Sequence, residues 1–194
     1  LLLGANLSMF FLVVQYVQGV LGFGPLMAGV AFLPFSLGIF ATSRVTPALL
    51  GRFGPRPMML VGTGTLALAY AWLSTIGTGD TYLAAVFGPM ALAGISSALT
   101  FMPVTVIVLS GVEPEHAGSA SGLLQTTQQL GGAVGVGVIV SVYAAGALPG
   151  QLVPGMAAAF LTSATFAALA LVVTALVFRA IAAPRVFELR SMAR

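Results

Sequence analysis

Charged side chains are scarce in this chain. Asp, Glu, Lys and Arg make up 6% of its 194 residues, whereas hydrophobic residues make up 59%. A soluble domain carries about a quarter charged residues, because its surface must face water. The few charges here cannot cover a globule of this size, so the surplus of apolar side chains must face lipid. The composition therefore indicates an integral membrane protein.

Cysteine is absent, which excludes disulfides and thiolate metal sites. Lysine is absent too, and the seven cations are all arginine. A nucleic-acid-binding surface would interleave many more basic and aromatic groups, so we expect no nucleic-acid partner. We interpret the arginines as membrane-flanking residues on the cytoplasmic side. They form two groups: Arg44, Arg52 and Arg56, then Arg179, Arg185, Arg190 and Arg194.

Motifs of catalysis are absent as well. The chain has no G-x-S-x-G, P-loop or G-x-G-x-x-G pattern, and no acid lies inside an apolar run. The single histidine, His116, lies near Glu113 and Glu115 in a predicted turn, where a metal would be under-coordinated and open to water. We therefore expect no enzymatic activity, no cofactor and no metal site.

Apolar runs of spanning length, separated by turn signals, divide the chain into about six segments. This pattern predicts an all-α integral membrane protein, a six-transmembrane-helix bundle over residues 1–180. Residues 181–194 then form a cytoplasmic tail. The predicted helices are Leu2–Val20, Pro25–Leu50, Met58–Ile76, Tyr82–Leu109, His116–Ala147 and Gly155–Arg179.

The arginines also predict the orientation. Arg52 and Arg56 follow the second segment and four more arginines lie from Arg179 onward, whereas the loops after the first and fifth segments carry no charge. The positive-inside rule then places both ends of the segment in the cytoplasm of a multi-pass plasma or inner membrane protein. The chain opens Leu1-Leu2-Leu3 with no initiator Met and no signal-peptide pattern, and we expect it to begin inside a longer gene product.

Arg44 is the one cation inside an apolar run. If the second helix ends near Gly51, Arg44 lies about 10 Å up that helix, within reach of the interface for a snorkelling side chain. It has two interpretations, an interface anchor or a gating residue that faces substrate.

Two helices begin with related sequences. Pro25–Ala31 and Pro114–Ala120 both read P-x-x-A-G-x-A, and each starts the second helix of a three-helix set. The topology gives the two sets opposite orientations, as in transporters built from inverted repeats. Chance similarity is the alternative, because Ala and Gly are abundant in this chain.

Side-chain amides are concentrated in the first and fifth segments. An unpaired amide in hydrocarbon costs several kcal/mol, so these groups should face protein or a water-filled cavity. We predict that the two helices line a common interior space, with Tyr16 and Thr126 beside the amides. Hydrogen bonds that merely hold helices together are the alternative. The amides proposed to line the cavity are Gln15, Gln18, Gln125 and Gln129.

Two stretches together resemble a known family. YVQGVLGFGPLMAG (residues 16–29) is similar to the seventh core helix and following turn of major facilitator superfamily drug:proton antiporters with fourteen spanning helices. GVEPEHAGSASGLLQTTQQLGGA (residues 111–133) is similar to their eleventh core helix. The order and spacing of both blocks match, and the resemblance covers about residues 1–180.

The resemblance implies a C-terminal half that works with a missing N-terminal half by alternating access. It implies efflux of small hydrophobic or cationic compounds in exchange for protons. The loop with Arg52, Gly54 and Arg56 is similar to the family's cytoplasmic G-x-x-x-D-R-x-G-R-R signature and would act in gating, together with Arg44. Gly51 stands at its acidic position and Pro47 at its first glycine, so the acid of a charge relay is missing.

Two other functions remain open at this point. One is a non-transporting accessory or structural membrane subunit that docks a partner through glycine-rich faces. The other is a facilitator of the same fold that moves a nutrient or metabolite.

Overall fold

A computed structural model describes residues 1–148 and 151–182. Apart from an isolated bridge between Leu148 and Gln151, the described residues form helices and their connections, which confirms the predicted all-α class. Residues 183–194, most of the predicted tail, lie outside the described residues. The helices are α1 (Leu2–Gly19), α2 (Pro25–Val30), α3 (Leu33–Phe53), α4 (Pro55–Leu73), α5 (Gly88–Ser110), α6 (Ala117–Gly146) and α7 (Val153–Ala182).

The bundle has the six long helices that the apolar runs predict. Within the described residues, five helical stretches are long and apolar enough to cross a membrane, and they correspond to every predicted segment except the third. The third is α4, whose 19 residues extend about 28 Å, close to the thickness of a bilayer's hydrocarbon core. Helix α4 packs along both α5 and α7.

The second segment is broken, whereas the sequence predicted one continuous helix. Helix α2 ends at Val30, and α3 begins at Leu33 with Pro34 in its first turn. Proline has no N–H, so the Val30 carbonyl loses its helical donor there. At the neighbouring position, the Tyr82 hydroxyl donates to the Ala31 carbonyl at 3.0 Å.

The fourth segment begins irregularly as well. Residues Leu83–Phe87 form a π-helical turn directly before α5, whose second residue is Pro89. Such turns widen the helix locally and change its direction. The irregular turn therefore lies just ahead of Pro89.

Helix pairing follows the symmetry expected of two inverted three-helix units. Helix α1 packs along α6, α5 packs along α3, and α4 packs against α7. One unit consists of α1, α2–α3 and α4, and the other of α5, α6 and α7. Exchanging each helix for its counterpart turns the α1–α6 pair into the α5–α3 pair and leaves the α4–α7 pair as it is. The related sequences also adopt similar roles, because Pro25 and Pro114 each open a helical element after a residue with extended backbone.

Glycines set the closest approaches between helices. A Cβ on Gly4 of α1 would lie 2.6 Å from the Gly135 Cα of α6, and one on Gly62 of α4 would lie 2.9 Å from the Leu99 carbonyl carbon of α5. A Cβ on Gly94 of α5 would overlap the Phe35 carbonyl oxygen of α3. Lipid supplies no hydrophobic force between helices, so this close packing is a main source of their association.

Replacing Gly94 with alanine should destabilise the bundle. The new methyl would meet backbone, which cannot rotate away, and overpacking of this kind costs about 1–3 kcal/mol. Gly137→Ala in α6 is the matched control, because a Cβ there has open space. We expect thermal unfolding of the intact protein in detergent to occur at a clearly lower temperature only for Gly94→Ala. Equal melting temperatures for the two variants would contradict this assignment.

Candidate functional site

Two consecutive serines tie α5 to its neighbours. The Ser97 hydroxyl donates to Asn6 Oδ1 of α1 at 3.2 Å, and the Ser96 hydroxyl lies 2.7 Å from the Thr65 hydroxyl of α4. Ser96, Ser97 and Asn6 are all buried. These contacts fix α5 between α1 and α4, behind the open surface of α1. The sequence analysis did not single them out, although a Ser-Ser pair inside an apolar run was the available signal.

Helices α1 and α6 run parallel and pack against each other, and their exposed faces border the shallow groove that two packed helices leave along their contact. Gly4 lies against Gly135, and farther along the helices the Phe11 and Tyr143 rings meet edge to face with centroids 6.2 Å apart. Gln18 shares the exposed stripe of α1 with Phe11, and Gln15 is half-buried at its edge. The groove therefore has an aromatic contact along its length and amides on its α1 side.

The exposed surface of α6 has two different stripes. At 3.6 residues per turn, Gln125 and Gln129 lie on the same side of the helix as Tyr143. Thr126 is exposed beyond them, and its hydroxyl donates to the Gly122 carbonyl of its own helix at 2.9 Å. The other stripe is apolar and exposed, and consists of Leu123, Leu130, Val134 and Val138. The polar stripe borders the groove and the apolar stripe lies on the far side.

The amides of the two helices lie at opposite ends of the groove. Because Gly4 is level with Gly135, Gln15 is level with about residue 146 of the parallel helix α6. At 1.5 Å per residue, the α1 amides are then roughly 25–35 Å from Gln125 and Gln129. The four glutamines thus lie along the contact between α1 and α6 but are not brought together into one cluster, and that they line a cavity stays a prediction.

Tyr16 lies elsewhere, at odds with its predicted place in the cavity wall. Its side chain is 1% exposed and packs inside the bundle. The hydroxyl donates to the Gly77 carbonyl at 2.8 Å, and the Gly77 N–H donates to Asp80 Oδ2 at 2.7 Å. Tyr16 therefore secures the connection between α4 and α5. No local pattern in the sequence gives information about this partner of the Tyr16 hydroxyl.

Three of the predicted gating residues, Arg52, Gly54 and Arg56, lie at the turn between α3 and α4, whereas Arg44 lies about 15 Å along α3 from that turn. Gly54 joins the two helices with φ of 75°, a conformation that favours glycine. The Arg44 guanidinium lies 4.6 Å from the Phe40 ring centroid, and that of Arg52 lies 5.3 Å from the Phe53 centroid. Arg56 is exposed in the first turn of α4. Their role in gating stays a prediction.

The acidic turn before α6 is open to water. The possible ligand atoms of Glu113, Glu115 and His116 lie within 4.8 Å of one another, and all three residues are exposed. Exposed carboxylates in the first turn of a helix also complement its partial positive charge, which accounts for their position without a metal.

Removing the Tyr16 hydroxyl should weaken the fold without affecting the groove. Tyr16→Phe leaves the Gly77 carbonyl without its donor, and a lost neutral hydrogen bond costs about 1 kcal/mol. We expect a lower melting temperature of the intact protein in detergent than for Tyr143→Phe, which keeps the ring contact with Phe11. If both variants melt together, the bond to Gly77 contributes no net stability.

Comparison with known proteins agrees with this architecture. A family model described as Major Facilitator Superfamily matches residues 1–136. The chain is 35% identical over 170 residues to the cephamycin export protein CmcT of Amycolatopsis lactamdurans. The matched residues make up 86% of this chain and 35% of that protein.

Two further relatives carry similar descriptions. The puromycin resistance protein pur8 of Streptomyces alboniger is 32% identical over 138 residues, 70% of this chain and 27% of that protein. The multidrug resistance protein Stp of Mycobacterium tuberculosis is 34% identical over 138 residues, 71% of this chain and 25% of that protein. The chain thus spans about a quarter to a third of the length of these relatives. It belongs to the Major Facilitator Superfamily.

Proposed function

We propose that this chain is the C-terminal six-helix half of a multidrug efflux transporter that works by alternating access. The observation that carries the proposal is the groove between α1 and α6, in a family member whose relatives are described as antibiotic export and resistance proteins. An N-terminal half of the same protein would cover this groove and close the substrate path.

The distribution of polar groups supports this placement of the other half. Exposed amides face the groove, where lipid would leave them unpaired at a cost of several kcal/mol. Exposed side chains on α4 and α7, such as Leu68 and Val172, are apolar and suit lipid. The groove surface therefore faces protein and water in the proposed transporter, and α4 and α7 face the bilayer.

The groove also suits the substrates proposed. The Phe11 and Tyr143 rings offer apolar area for small hydrophobic compounds, and their faces attract organic cations. The amides supply hydrogen bonds at either end of the path. Since the described groove residues carry no formal charge, we infer that any acid that selects cations belongs to the other half.

Proton coupling requires a titratable group in the transport path. In the described residues the acids are Asp80, Glu113 and Glu115, and all three lie in connections between spans. We propose that the coupling carboxylate belongs to the N-terminal half. We also propose that the transporter resides in the cell membrane with both ends of this chain cytoplasmic and carries out no chemical catalysis.

Shortening the α6 amides should impair substrate binding. Gln125→Ala and Gln129→Ala each remove a hydrogen-bonding group, and a lost neutral hydrogen bond of about 0.5–1.5 kcal/mol corresponds to a 2- to 10-fold change in affinity. We expect the KM for puromycin efflux by the intact protein to rise by that factor. Leu130→Ala, on the apolar stripe of α6, is the matched control and should leave KM unchanged. Unaltered efflux in both glutamine variants would rule out their contact with substrate.

The three acids within the described residues should be dispensable for coupling. Asp80→Asn, Glu113→Gln and Glu115→Gln remove the ionisable groups while keeping side-chain shape and hydrogen-bonding atoms. We expect a protonophore to abolish puromycin efflux by the parent protein and by the triple variant. We also expect efflux by the two proteins to depend on pH in the same way. A shifted pH profile in the triple variant would indicate that the coupling group belongs to this chain. Efflux that the protonophore does not reduce would refute proton exchange.

A further inference from the structure

An apolar groove lies where α3 turns into α4, away from the path described above. Its volume is about 290 Å³, and every side chain that lines it is apolar. From the Gly54 turn each of the two helices packs along α5, and Leu99 of α5 contributes to the lining between them. The lining residues are Leu49, Phe53, Pro57, Met58, Val61 and Leu99.

A positive charge stands at one end of this groove. The Arg52 guanidinium lies over the ring of Phe53, which itself lines the groove. Arg56, next to the lining residue Pro57, adds a second exposed cation on the α4 side of the turn. No Asp or Glu precedes Asp80 in the chain, so α1 to α4 provide no carboxylate to neutralise these arginines.

We propose that this groove binds one acyl chain of an anionic phospholipid, whose headgroup phosphate is held by Arg52. Arginine suits the headgroup because its planar guanidinium can donate two parallel hydrogen bonds to phosphate oxygens. The adjacent cavity suits the acyl chain because it offers only apolar contacts. A positive charge favours a lipid with net negative charge over a zwitterionic one. Phe53 positions the guanidinium and separates the polar and apolar ends of the site.

Arg44 provides an internal comparison. It is also exposed, and it also lies over a ring of its own helix, that of Phe40. Phe40 does not line the groove. A general attraction of arginines to an anionic surface would involve Arg44 and Arg52 alike, whereas the proposed site requires Arg52.

Native mass spectrometry of the intact protein in neutral detergent tests the site. Phosphatidylglycerol is titrated against the parent protein, Arg52→Gln and Arg44→Gln, with phosphatidylcholine of the same acyl chains in parallel. We expect phosphatidylglycerol to bind more tightly than phosphatidylcholine, and its affinity to fall about fivefold in Arg52→Gln, as for one charge near a lipid surface. The affinity of Arg44→Gln should stay within about twofold of the parent.

A second pair of variants tests the groove itself. Val61→Phe fills the cavity and keeps every charge, so it should weaken binding of both lipids. Leu68→Phe, at an exposed position of α4 outside the groove, should leave binding unchanged. This pair of variants also tests the proposed lipid site if Arg52→Gln fails to fold.

Several outcomes would overturn the proposal. Equal loss in Arg52→Gln and Arg44→Gln would indicate only diffuse attraction, and equal affinity for the two lipids would remove the headgroup preference. Competition by glycerol phosphate as effective as that by the intact lipid would show that the apolar groove takes no part. Undiminished binding in Val61→Phe would show the same.

Discussion

Hydrocarbon cannot hydrogen-bond to a polar group, and this constraint governs the whole bundle. Many of its serines and threonines donate to a carbonyl of their own helix, as Thr46 does to Thr42 at 2.8 Å. Others bridge helices, as Ser97 does to Asn6. Within the described residues, the buried side-chain nitrogen and oxygen atoms without a hydrogen-bond partner are the hydroxyl oxygens of Ser8 and Tyr70. Against this background the exposed amides along the groove stand out, because lipid offers them no hydrogen-bond partner.

The same constraint explains why glycine has such a large part in the packing. Helices surrounded by lipid gain little from burying apolar side chains against one another, so they associate by close contact and by polar bonds. The Gly4–Gly135 contact provides the first of these between α1 and α6, and the Ser97–Asn6 bond provides the second between α1 and α5. Helix α5 has both kinds of contact with α4, through Gly62 and through the Ser96–Thr65 pair.

The sequence predicted what depends on local pattern and missed what depends on contacts between distant segments. Run lengths predicted the six helices, and periodicity placed Gln125 and Gln129 on one side of α6. Periodicity contains no information about the relative height of two helices, however. That height follows from the contact of Gly4 with Gly135, so the separation of the α1 and α6 amides could not be foreseen.

Tyr16 and the break after Val30 fail prediction for a related reason. The Tyr16 hydroxyl bonds to a residue 61 positions away, and no local pattern indicates such a partner. Pro34 was visible in the sequence, but a proline can either kink a helix or end it. Here the Tyr82 hydroxyl, 51 positions from Ala31, donates to the Ala31 carbonyl at the break.

The connection between α3 and α4 affects how this half can move. Gly54 is the only residue between the two helices, whereas residues 74–82 separate α4 from the π-helical turn. The first joint leaves almost no slack, so a tilt of α3 must be accompanied by a movement of α4 and of its neighbour α7. The second joint can absorb displacement. We therefore expect deformation of the bundle to concentrate at the end with the longer connection, with the end near Gly54 as the pivot.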